Sequence, residues 1–406
     1  MSSLADRLRG VLGPAKAGHY QPAGNDAGSV RFQADQPNAA EILGGEWREA
    51  RGKKFVVVDR KYSPGYRHGR ISIADCLPPW SRIELLGGTS GKMLFVDLET
   101  TGLAGGAGTY AFLVGCGWFD GGTFRLRQFF LSDFAAERAL LESVAEIADD
   151  VDCVVTYNGK TFDLPLIETR FALQRMEPPF AGVAHVDMLH PARRMWREDD
   201  VECRLTYLEQ ALCGHEREDD VPGFEIPSRY FYYVRSGDAR PLAAVLEHNR
   251  LDIVSLAMLT ARASQLLDEG PSAATTEREA FGMGRLYERA GLLDRALACF
   301  CRVKNVEGIR ASAILLRRLR RYGEAADAWR DLLATRGCPE AYAREAMEAL
   351  AVHHEHRARD LEAARRFALQ SLRLQATVAR RDAIKYRLAR LDRKLGSQTL
   401  PCLPLA

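Results

Sequence analysis

The sequence predicts an α/β protein in which a mixed sheet carries helices on both faces and is followed by an all-helical domain. Three observations support this fold class. Three strand-like segments follow one another between Met93 and Leu131, helical and strand-like segments then alternate, and from residue 275 onward almost every segment has helical periodicity. A meander followed by alternating helices and strands builds a mixed sheet that is covered on both sides.

Apolar runs and turn residues predict the elements of the sheet in chain order. Met93–Val96 is a short apolar run typical of a buried strand. Asp120-Gly121-Gly122 is a hairpin signal between strands at Tyr110–Phe119 and Phe124–Leu131. Asp133 has the residue type of an N-cap for a helix ending near Ala148. The later predicted elements are strands at 151–158 and 184–186 and helices from Asp163, near 188–197, near 204–212 and from Leu242 to Leu267.

Two regions flank this sheet domain, which is assigned to residues 91–268. Residues 1–40 are rich in Gly, Ala, Pro and polar residues without periodicity, which predicts a disordered segment. Residues 41–90 contain short strand-like runs between turns and are predicted to form a small N-terminal cap. Residues 275–395 are rich in Ala, Leu and Arg, with small residues and turn glycines recurring at irregular intervals. This pattern indicates a tetratricopeptide-like repeat tail, which would bind a protein partner or stack on the neighbouring domain.

Composition favours a soluble cytoplasmic protein. The nine cysteines include no Cys-x-x-Cys pair, so reduced core thiols are predicted rather than a zinc knuckle or a disulfide framework. No apolar run reaches the length of a membrane-spanning helix, and none near the start has the length of a secretory signal. Residues 91–265 carry a net charge of −10 and residues 266–406 a net charge of +8. The basic tail is equally consistent with attraction of a phosphate backbone and with a solvated helical surface.

Two carboxylates end the first predicted strand. Asp97 and Glu99 are two residues apart, so both side chains point to the same face of a strand. Carboxylates that share a face repel each other unless a cation lies between them, and hard oxygen ligands suit Mg²⁺ or Mn²⁺. The pair alone is weak evidence, because most such pairs are merely polar strand ends.

Further acidic and polar residues follow in order. Asn158 ends another predicted strand, and Phe162 and Asp163 stand where the next helix begins. Much later, His248 and Asp252 are four residues apart in an apolar-periodic helix and therefore share one of its faces.

This ordered set resembles the DEDD superfamily of 3′→5′ exonucleases, which have a ribonuclease-H-like fold. The three motifs of that superfamily match Asp97 and Glu99, then Asn158, Phe162 and Asp163, and then His248 and Asp252. Wider similarity points to the YprB-like branch, bacterial proteins with this domain and a helical repeat tail, and it lies in Tyr157–Lys160, Arg193–Trp196, Asp220–Gly223 and His248-Asn249. In the best-known subgroups the helper residue is a His five residues, or a Tyr four residues, before the last Asp, whereas here a His stands at the four-residue spacing.

The resemblance implies a metal-dependent phosphodiesterase. Two divalent ions, Mg²⁺ or Mn²⁺, would be held by Asp97, Glu99, Asp163 and Asp252, and His248 would take the proton of the attacking water. The substrate would be a nucleic acid with a 3′ end. Its terminal nucleotide would be bound by Thr100, Thr101, Gly102, Leu103, Asn158 and Phe162.

Other interpretations stay open. Asp163 alone would most often be a helix N-cap, and Asn158 can hold a turn through its side chain. The whole chain can also be a nucleic-acid-binding scaffold with a vestigial nuclease domain, or a structure-specific endonuclease that uses the same metal site. Four retained acids argue against the scaffold, because a buried acidic cluster without a cation destabilises a fold. Nothing in the sequence separates DNA from RNA as the substrate.

Overall fold

The structure, a computed structural model, describes residues 38–102, 106–197, 203–375 and 377–398. The prediction of disorder for residues 1–37 lies outside this part of the chain. The last three residues of the segment assigned to disorder are helical, because helix α1 begins at Asn38 and ends at Leu43.

A mixed sheet of seven strands forms the centre of the described chain, in the order β1-β2-β7-β6-β5-β8-β9. Strand β5 pairs with β6 in antiparallel fashion on one side and with β8 in parallel fashion on the other. The predicted meander and the parallel strands that follow it are therefore confirmed. The seven strands are β1 (Glu46–Ala50), β2 (Lys53–Tyr62), β5 (Met93–Thr100), β6 (Ala111–Asp120), β7 (Thr123–Phe130), β8 (Cys153–Thr156) and β9 (Ala184–Asp187).

Residues assigned to a small N-terminal cap enlarge this sheet. Strand β2 pairs along its length with β7, and β1 pairs with β2 at the outer edge. The short strands β3 (Arg67–His68) and β4 (Ile71–Ser72) form a separate two-stranded sheet. Four residues of β2, Phe55–Val58, are buried and belong to one of the two cores that cover the faces of the sheet.

The helices extend over both faces of the sheet and through the C-terminal third of the chain. Helix α6 was not predicted, because its segment is rich in aromatic residues, which have only average helix propensity. The helices after α1 are α2 (Glu137–Ala148), α3 (Asp163–Leu173), α4 (Leu189–Met195), α5 (Leu205–Leu208), α6 (Ile226–Ser236), α7 (Arg240–Glu269), α8 (Glu277–Arg289), α9 (Leu293–Cys301), α10 (Val306–Arg318), α11 (Tyr322–Ala334), α12 (Glu340–His353), α13 (Leu361–Leu372) and α14 (Val378–Gln398).

Alternate residues of β5 face two different cores. Leu94, Val96 and Leu98 pack with helices α2, α3 and α6. Met93 and Phe95 pack on the opposite face, in a core to which the long helix α7 contributes. Because the side-chain period of a strand is two, Asp97 and Glu99 lie on the α7 side as well.

Gly115 of β6 allows α7 to lie close to the sheet. A Cβ atom at this position would be 2.3 Å from Asn249 Oδ1 and 2.3 Å from Ile253 Cδ1. Any larger residue would therefore push the helix away, together with the polar side chains that it carries towards the end of β5.

The tail helices α8–α14 follow one another, and α8 and α9 share a core with one face of the sheet. Met283 and Phe300 belong to the same cluster of buried side chains as Phe95. At Gly282 a Cβ atom would lie 2.5 Å from the carbonyl oxygen of Arg194, so α8 and α4 are in backbone contact there. The tetratricopeptide-like assignment of this helical region stays a prediction.

Two further sequence expectations concern cysteines and membranes. The eight cysteines among the described residues are all free thiols, and five of them are fully buried. No helix within the described ranges has both the length and the apolar character needed to cross a membrane.

Candidate active site

A cavity of about 450 Å³ opens at the carboxyl end of β5. It lies where three elements meet: the end of β5, the start of α3 and one face of α7. The cavity is lined by all five of the predicted catalytic residues, namely Asp97, Glu99, Asp163, His248 and Asp252.

Asp97 and Glu99 reach the cavity from β5, and Asp97 is fixed by a chain of amide hydrogen bonds. Asn249 of α7 donates from Nδ2 to Asp97 Oδ2 over 2.7 Å, and its own Oδ1 accepts from Gln128 Nε2 over 2.8 Å. The register with β6 shifts between Glu99 and Thr100, which ends the regular pairing at the mouth of the cavity. One side chain on α7 and one on β7 therefore hold the first carboxylate in place.

The carboxylates repel one another inside this partly desolvated space. Burial, followed by the negative charges of Asp252 and Asp163, raises the pKa of Asp97 well above its usual value. Burial and the neighbouring Asp97 raise the pKa of Glu99 in the same direction. For Asp163, burial and then the charges of Asp187 and Asp252 raise the pKa to about 7. Such a group of acids binds protons or cations strongly, because both relieve the repulsion.

His248 is held by Asp220, which belongs to the segment that resembles the YprB-like branch and was not among the predicted site residues. Its Nδ1 lies 2.6 Å from Asp220 Oδ1, and its Nε2 lies 3.6 Å from Asp252 Oδ2. An aspartate at Nδ1 keeps the proton on that nitrogen and leaves Nε2 free to accept one. His248, four residues before Asp252, therefore directs Nε2 towards the Asp252 carboxylate.

One cation reaches the acids of the cavity within the described part of the chain. Arg217 donates from Nη2 to Asp252 Oδ1 over 2.5 Å. Asp97, Glu99 and Asp163 have no ion pair with any described residue. These three carboxylates without a cationic partner, together with Oδ2 of Asp252, which Arg217 does not contact, form the hard-oxygen donor set that suits Mg²⁺ or Mn²⁺. The residues present therefore fit the predicted divalent ions.

The residues predicted to bind substrate divide into two groups. Thr100, Gly102 and Phe162 line the cavity, and 54% of the Phe162 surface is exposed. Thr101 and Asn158 do not line it. The Thr101 hydroxyl accepts from the backbone amide of Tyr110, and Asn158 has a left-handed backbone (φ 66°) at the turn after β8. Leu103 lies outside the described residues.

Several further residues line the cavity and were not among the predicted site residues. They are Leu98, Gly106, Thr161, Pro165, Leu166, Thr169, Gly223, Ile226 and Pro227. Gly223 belongs to the segment Asp220–Gly223 that resembled the YprB-like branch, so this segment supplies both the partner of His248 and part of the cavity wall. Helix α6, which was not predicted, begins at this wall.

Asp187 organises the turn that presents Asp163. Its Oδ1 accepts from the backbone amides of Asn158 and Leu189, and its Oδ2 accepts from the amide of Lys160. Asp187 thus ties the loop after β8 to the start of α4. Its charge also contributes to the raised pKa of Asp163.

A second polar cluster lies beside the cavity. His68 and Glu209 are fully buried, and His68 Nε2 lies 2.7 Å from Glu209 Oε1. His215 Nε2 is 3.9 Å from the same oxygen, so three metal-ligating side chains are close together. The rings of His68 and His215 are stacked, with centroids 4.1 Å apart and planes inclined by 28°. A metal ion lies in the plane of each imidazole that binds it. The stacked ring planes of His68 and His215 do not meet close to both rings, so the two side chains are not arranged to bind one ion together.

The topology of the sheet and the acids at the end of β5 define a domain of the ribonuclease H superfamily. The family model described as RNase_H superfamily matches residues 94–264, which run from β5 into α7. The chain is also 30% identical over 378 residues to the uncharacterized protein YprB of Bacillus subtilis (strain 168), covering 87% of this chain and 91% of that protein. The chain belongs to the YprB family.

Among solved structures, the chain is similar to the family B DNA polymerase of the hyperthermophilic archaeon Pyrobaculum calidifontis. The match has a TM-score of 0.35 and 16% sequence identity, and it covers 50% of this chain and 30% of the polymerase chain.

Proposed function

We propose that this protein is a metal-dependent 3′→5′ exonuclease that hydrolyses the terminal phosphodiester bond of a nucleic acid. One observation carries the proposal: four carboxylates and a histidine from three separate elements line a single cavity, and three of the four carboxylates have no cation among the described residues. A stable fold gathers such mutually repelling groups when an external cation compensates them.

Each residue has a distinct task in this reaction. Asp97, Glu99, Asp163 and Asp252 would hold two divalent ions, Mg²⁺ or Mn²⁺, which when bound supply Lewis-acid stabilisation of charge on the phosphoryl oxygens. His248 accepts the proton of the attacking water at Nε2, while Asp220 keeps Nδ1 protonated. Asn249 and Gln128 hold Asp97 so that it does not turn away from the cavity.

The rim of the cavity supports binding of an unpaired nucleotide. The exposed ring of Phe162 stands at the rim and offers a stacking surface for a base. The Thr100 hydroxyl donates to the carbonyl oxygen of Gly102 over 3.0 Å, which shapes the loop on the other side. We assign Thr100, Gly102 and Phe162 to contact with the terminal nucleotide, and Thr101 and Asn158 to support of the loops that carry them.

The experiment is a nuclease assay on single- and double-stranded DNA and RNA labelled at the 5′ end, with Mn²⁺ or Mg²⁺. The wild-type protein is compared with Asp97→Asn and with Asp59→Asn, which changes an exposed carboxylate on β2 as a matched control. We expect a ladder that shortens from the 3′ end with the wild type and with Asp59→Asn, and no shortening with Asp97→Asn.

Two results would contradict the proposal in different ways. Internal cuts with no progressive shortening would assign the site to an endonuclease. Absence of cleavage on every polymer, although calorimetry detects Mn²⁺ binding that Asp97→Asn lacks, would leave a metal-binding scaffold in place of a nuclease.

A further inference from the structure

Arg217 contacts three carboxylates at once, one with each guanidinium nitrogen. Its Nε lies 2.6 Å from Glu209 Oε2, its Nη1 lies 3.2 Å from Asp220 Oδ2, and its Nη2 lies 2.5 Å from Asp252 Oδ1. Only 5% of its side chain is exposed. Asp220 and Asp252 belong to the proposed active site, whereas Glu209 lies behind it.

Glu209 is a buried anchor for this arginine. Its side chain is fully buried in the π-helical segment Glu209–Cys213, and its Oε1 accepts from Ser255 Oγ over 2.8 Å and lies 2.7 Å from His68 Nε2. Burial opposes its ionisation, but His68, Arg217 and Ser255 outweigh burial and lower its pKa. Glu209 therefore remains charged and keeps the guanidinium in one orientation.

Asp220 and Asp252 each contact Arg217 with one carboxylate oxygen and direct the other oxygen towards His248. Asp220 contacts Arg217 with Oδ2 and His248 with Oδ1. Asp252 contacts Arg217 with Oδ1, while its Oδ2 faces His248 Nε2 at 3.6 Å. The arginine thus fixes the rotation of both carboxylates around the histidine and leaves Oδ2 as the only Asp252 oxygen that it does not occupy.

We propose that Arg217, held by Glu209, is a positioning residue that sets Asp252 and His248 as one unit in the proposed metal-dependent reaction. The inference rests on the proposed function, because it concerns the same acids. A guanidinium presents its donors in a rigid planar fork, whereas a lysine ammonium is a single point charge. Lysine at position 217 would preserve the charge and lose the simultaneous contact with three carboxylates.

The test compares Arg217→Lys and Glu209→Gln with wild type and with Arg127→Lys. Arg127 makes a two-nitrogen contact with Asp59 on the sheet and is a matched control for loss of an arginine fork. We expect Arg217→Lys to weaken Mn²⁺ binding, measured by calorimetry without substrate, by about 10- to 100-fold, which is the usual cost of removing a residue that orients a metal ligand. Its kcat should fall by a similar factor while its KM changes less than about threefold.

Asp220→Asn tests the contact of Arg217 with Asp220 separately from its contact with Asp252. This variant leaves the contact of Arg217 with Asp252, so we expect kcat to fall while Mn²⁺ binding stays within about threefold of the wild type. Glu209→Gln should reproduce the loss of Mn²⁺ affinity seen for Arg217→Lys, and Arg127→Lys should leave both measurements unchanged. Circular dichroism and thermal melting establish that each variant is folded before the comparison is made.

Two outcomes would overturn the inference. One is an Arg217→Lys protein that is folded and binds Mn²⁺ with wild-type affinity. The other is a wild-type protein that retains one equivalent of zinc, detected by elemental analysis and absent from both His68→Gln and His215→Gln, because Glu209 would then be a metal ligand and not an anchor. If the wild type cleaves no polymer, the proposed function fails, yet the Mn²⁺ measurement still decides the role of Arg217.

Discussion

The cavity at the end of β5 and the tail helices both contain buried carboxylates, and these are stabilised in opposite ways. The cavity at the end of β5 gathers four acids, and Arg217 reaches one of them. In the tail, the fully buried side chain of Glu355 is within 2.6–3.1 Å of Arg387, Arg390 and Lys394 on the last helix. The acids of the cavity therefore outnumber the cations that contact them, whereas three cations contact the single carboxylate of Glu355.

The pKa directions follow from this difference in compensation. In the cavity, burial and like charge act together and raise the pKa of Asp163 to about 7. At Glu355, burial opposes ionisation, but hydrogen bonds from Arg390 and Lys394 outweigh it and lower the pKa to about 2. An uncompensated group of acids indicates a site for an external cation, and a compensated acid indicates an internal tie between helices.

The largest effect is expected from neutralising an acid of the cavity. Asp97→Asn should reduce cleavage by roughly 10³-fold or more, because it removes a metal ligand. In the absence of metal at pH 8 the same variant should melt at a higher temperature than the wild type, because one of the repelling charges is gone. The assay with 5′-labelled substrate and a thermal melt in EDTA measure the two effects. A metal-free variant that melts well below the wild type would show that the Asp97 carboxylate stabilises the fold, through its hydrogen bond with Asn249, more than its repulsion destabilises it.

The next effect separates the histidine of the cavity from a histidine beside Glu355. His248→Ala should lower kcat by about 10²- to 10⁴-fold, the usual range for loss of a general base. His356→Ala, whose Nε2 is 3.5 Å from Glu355, should leave cleavage unchanged. Single-turnover rates at saturating Mn²⁺ decide between them. Equal rates for His248→Ala and wild type would exclude proton transfer by this side chain.

Neutralising the acid of the tail should reverse the stability effect seen in the cavity. Glu355→Gln leaves three cations without their shared partner and should cost about 1–3 kcal/mol of unfolding free energy at pH 7. A carboxyl whose pKa is lowered by folding stabilises the fold above its unfolded pKa and loses that contribution as the pH falls through its folded pKa. The difference from wild type should therefore shrink between about pH 4.5 and pH 2. Urea unfolding at several pH values measures this, and cleavage at pH 7 should not change.

The smallest effect concerns the pH dependence of the metal-free cavity. A carboxyl whose pKa is raised by folding stabilises the fold while it is protonated, fully so below its unfolded pKa of about 4. Asp163 should therefore make the EDTA-treated protein less stable as the pH rises through about 7. Millimolar Mn²⁺ should raise the melting temperature by a few degrees more at pH 8 than at pH 5, because deprotonated acids bind the ion. A shift of equal size at both pH values would count against a cavity that exchanges protons for metal.

Much of the sheet was predictable, because its signals are local in the chain. The glycines of the β6–β7 hairpin have positive φ angles of 53° and 84°, as the Asp-Gly-Gly turn requires. The pairing of β2 with β7 joins residues about 70 positions apart and has no local signal. Helix α6 buries Ile226, Tyr230 and Tyr233 at helical spacing, but its aromatic residues have only average helix propensity, and the segment was not predicted to be a helix.

The five predicted catalytic residues line one cavity. Periodicity paired Asp97 with Glu99 and His248 with Asp252, and the resemblance to the exonucleases grouped both pairs with Asp163. Arg217 and Glu209 could not be found in this way. Arg217 lies in the loop before α6, and Glu209 begins a π-helical turn, so neither falls on a regular face. Their importance arises from contacts between three elements that the chain brings together only on folding. Asn158 shows the converse, because its motif position was recognised while its left-handed backbone forms the turn after β8.

The close packing of α8 on α4 couples the stability of the sheet to that of the tail helices. Gly282 touches the backbone at Arg194, and Trp196 Nε1 donates to the buried Glu279 over 3.0 Å, so one continuous core extends from the sheet into the tail. Truncation after residue 270 would remove the side chains of α8–α11 from that core and expose their partners on the sheet side to water. The sheet and the tail helices that share its core should melt in a single transition. A molecule that binds only the tail would therefore also stabilise the cavity at the end of β5 against unfolding.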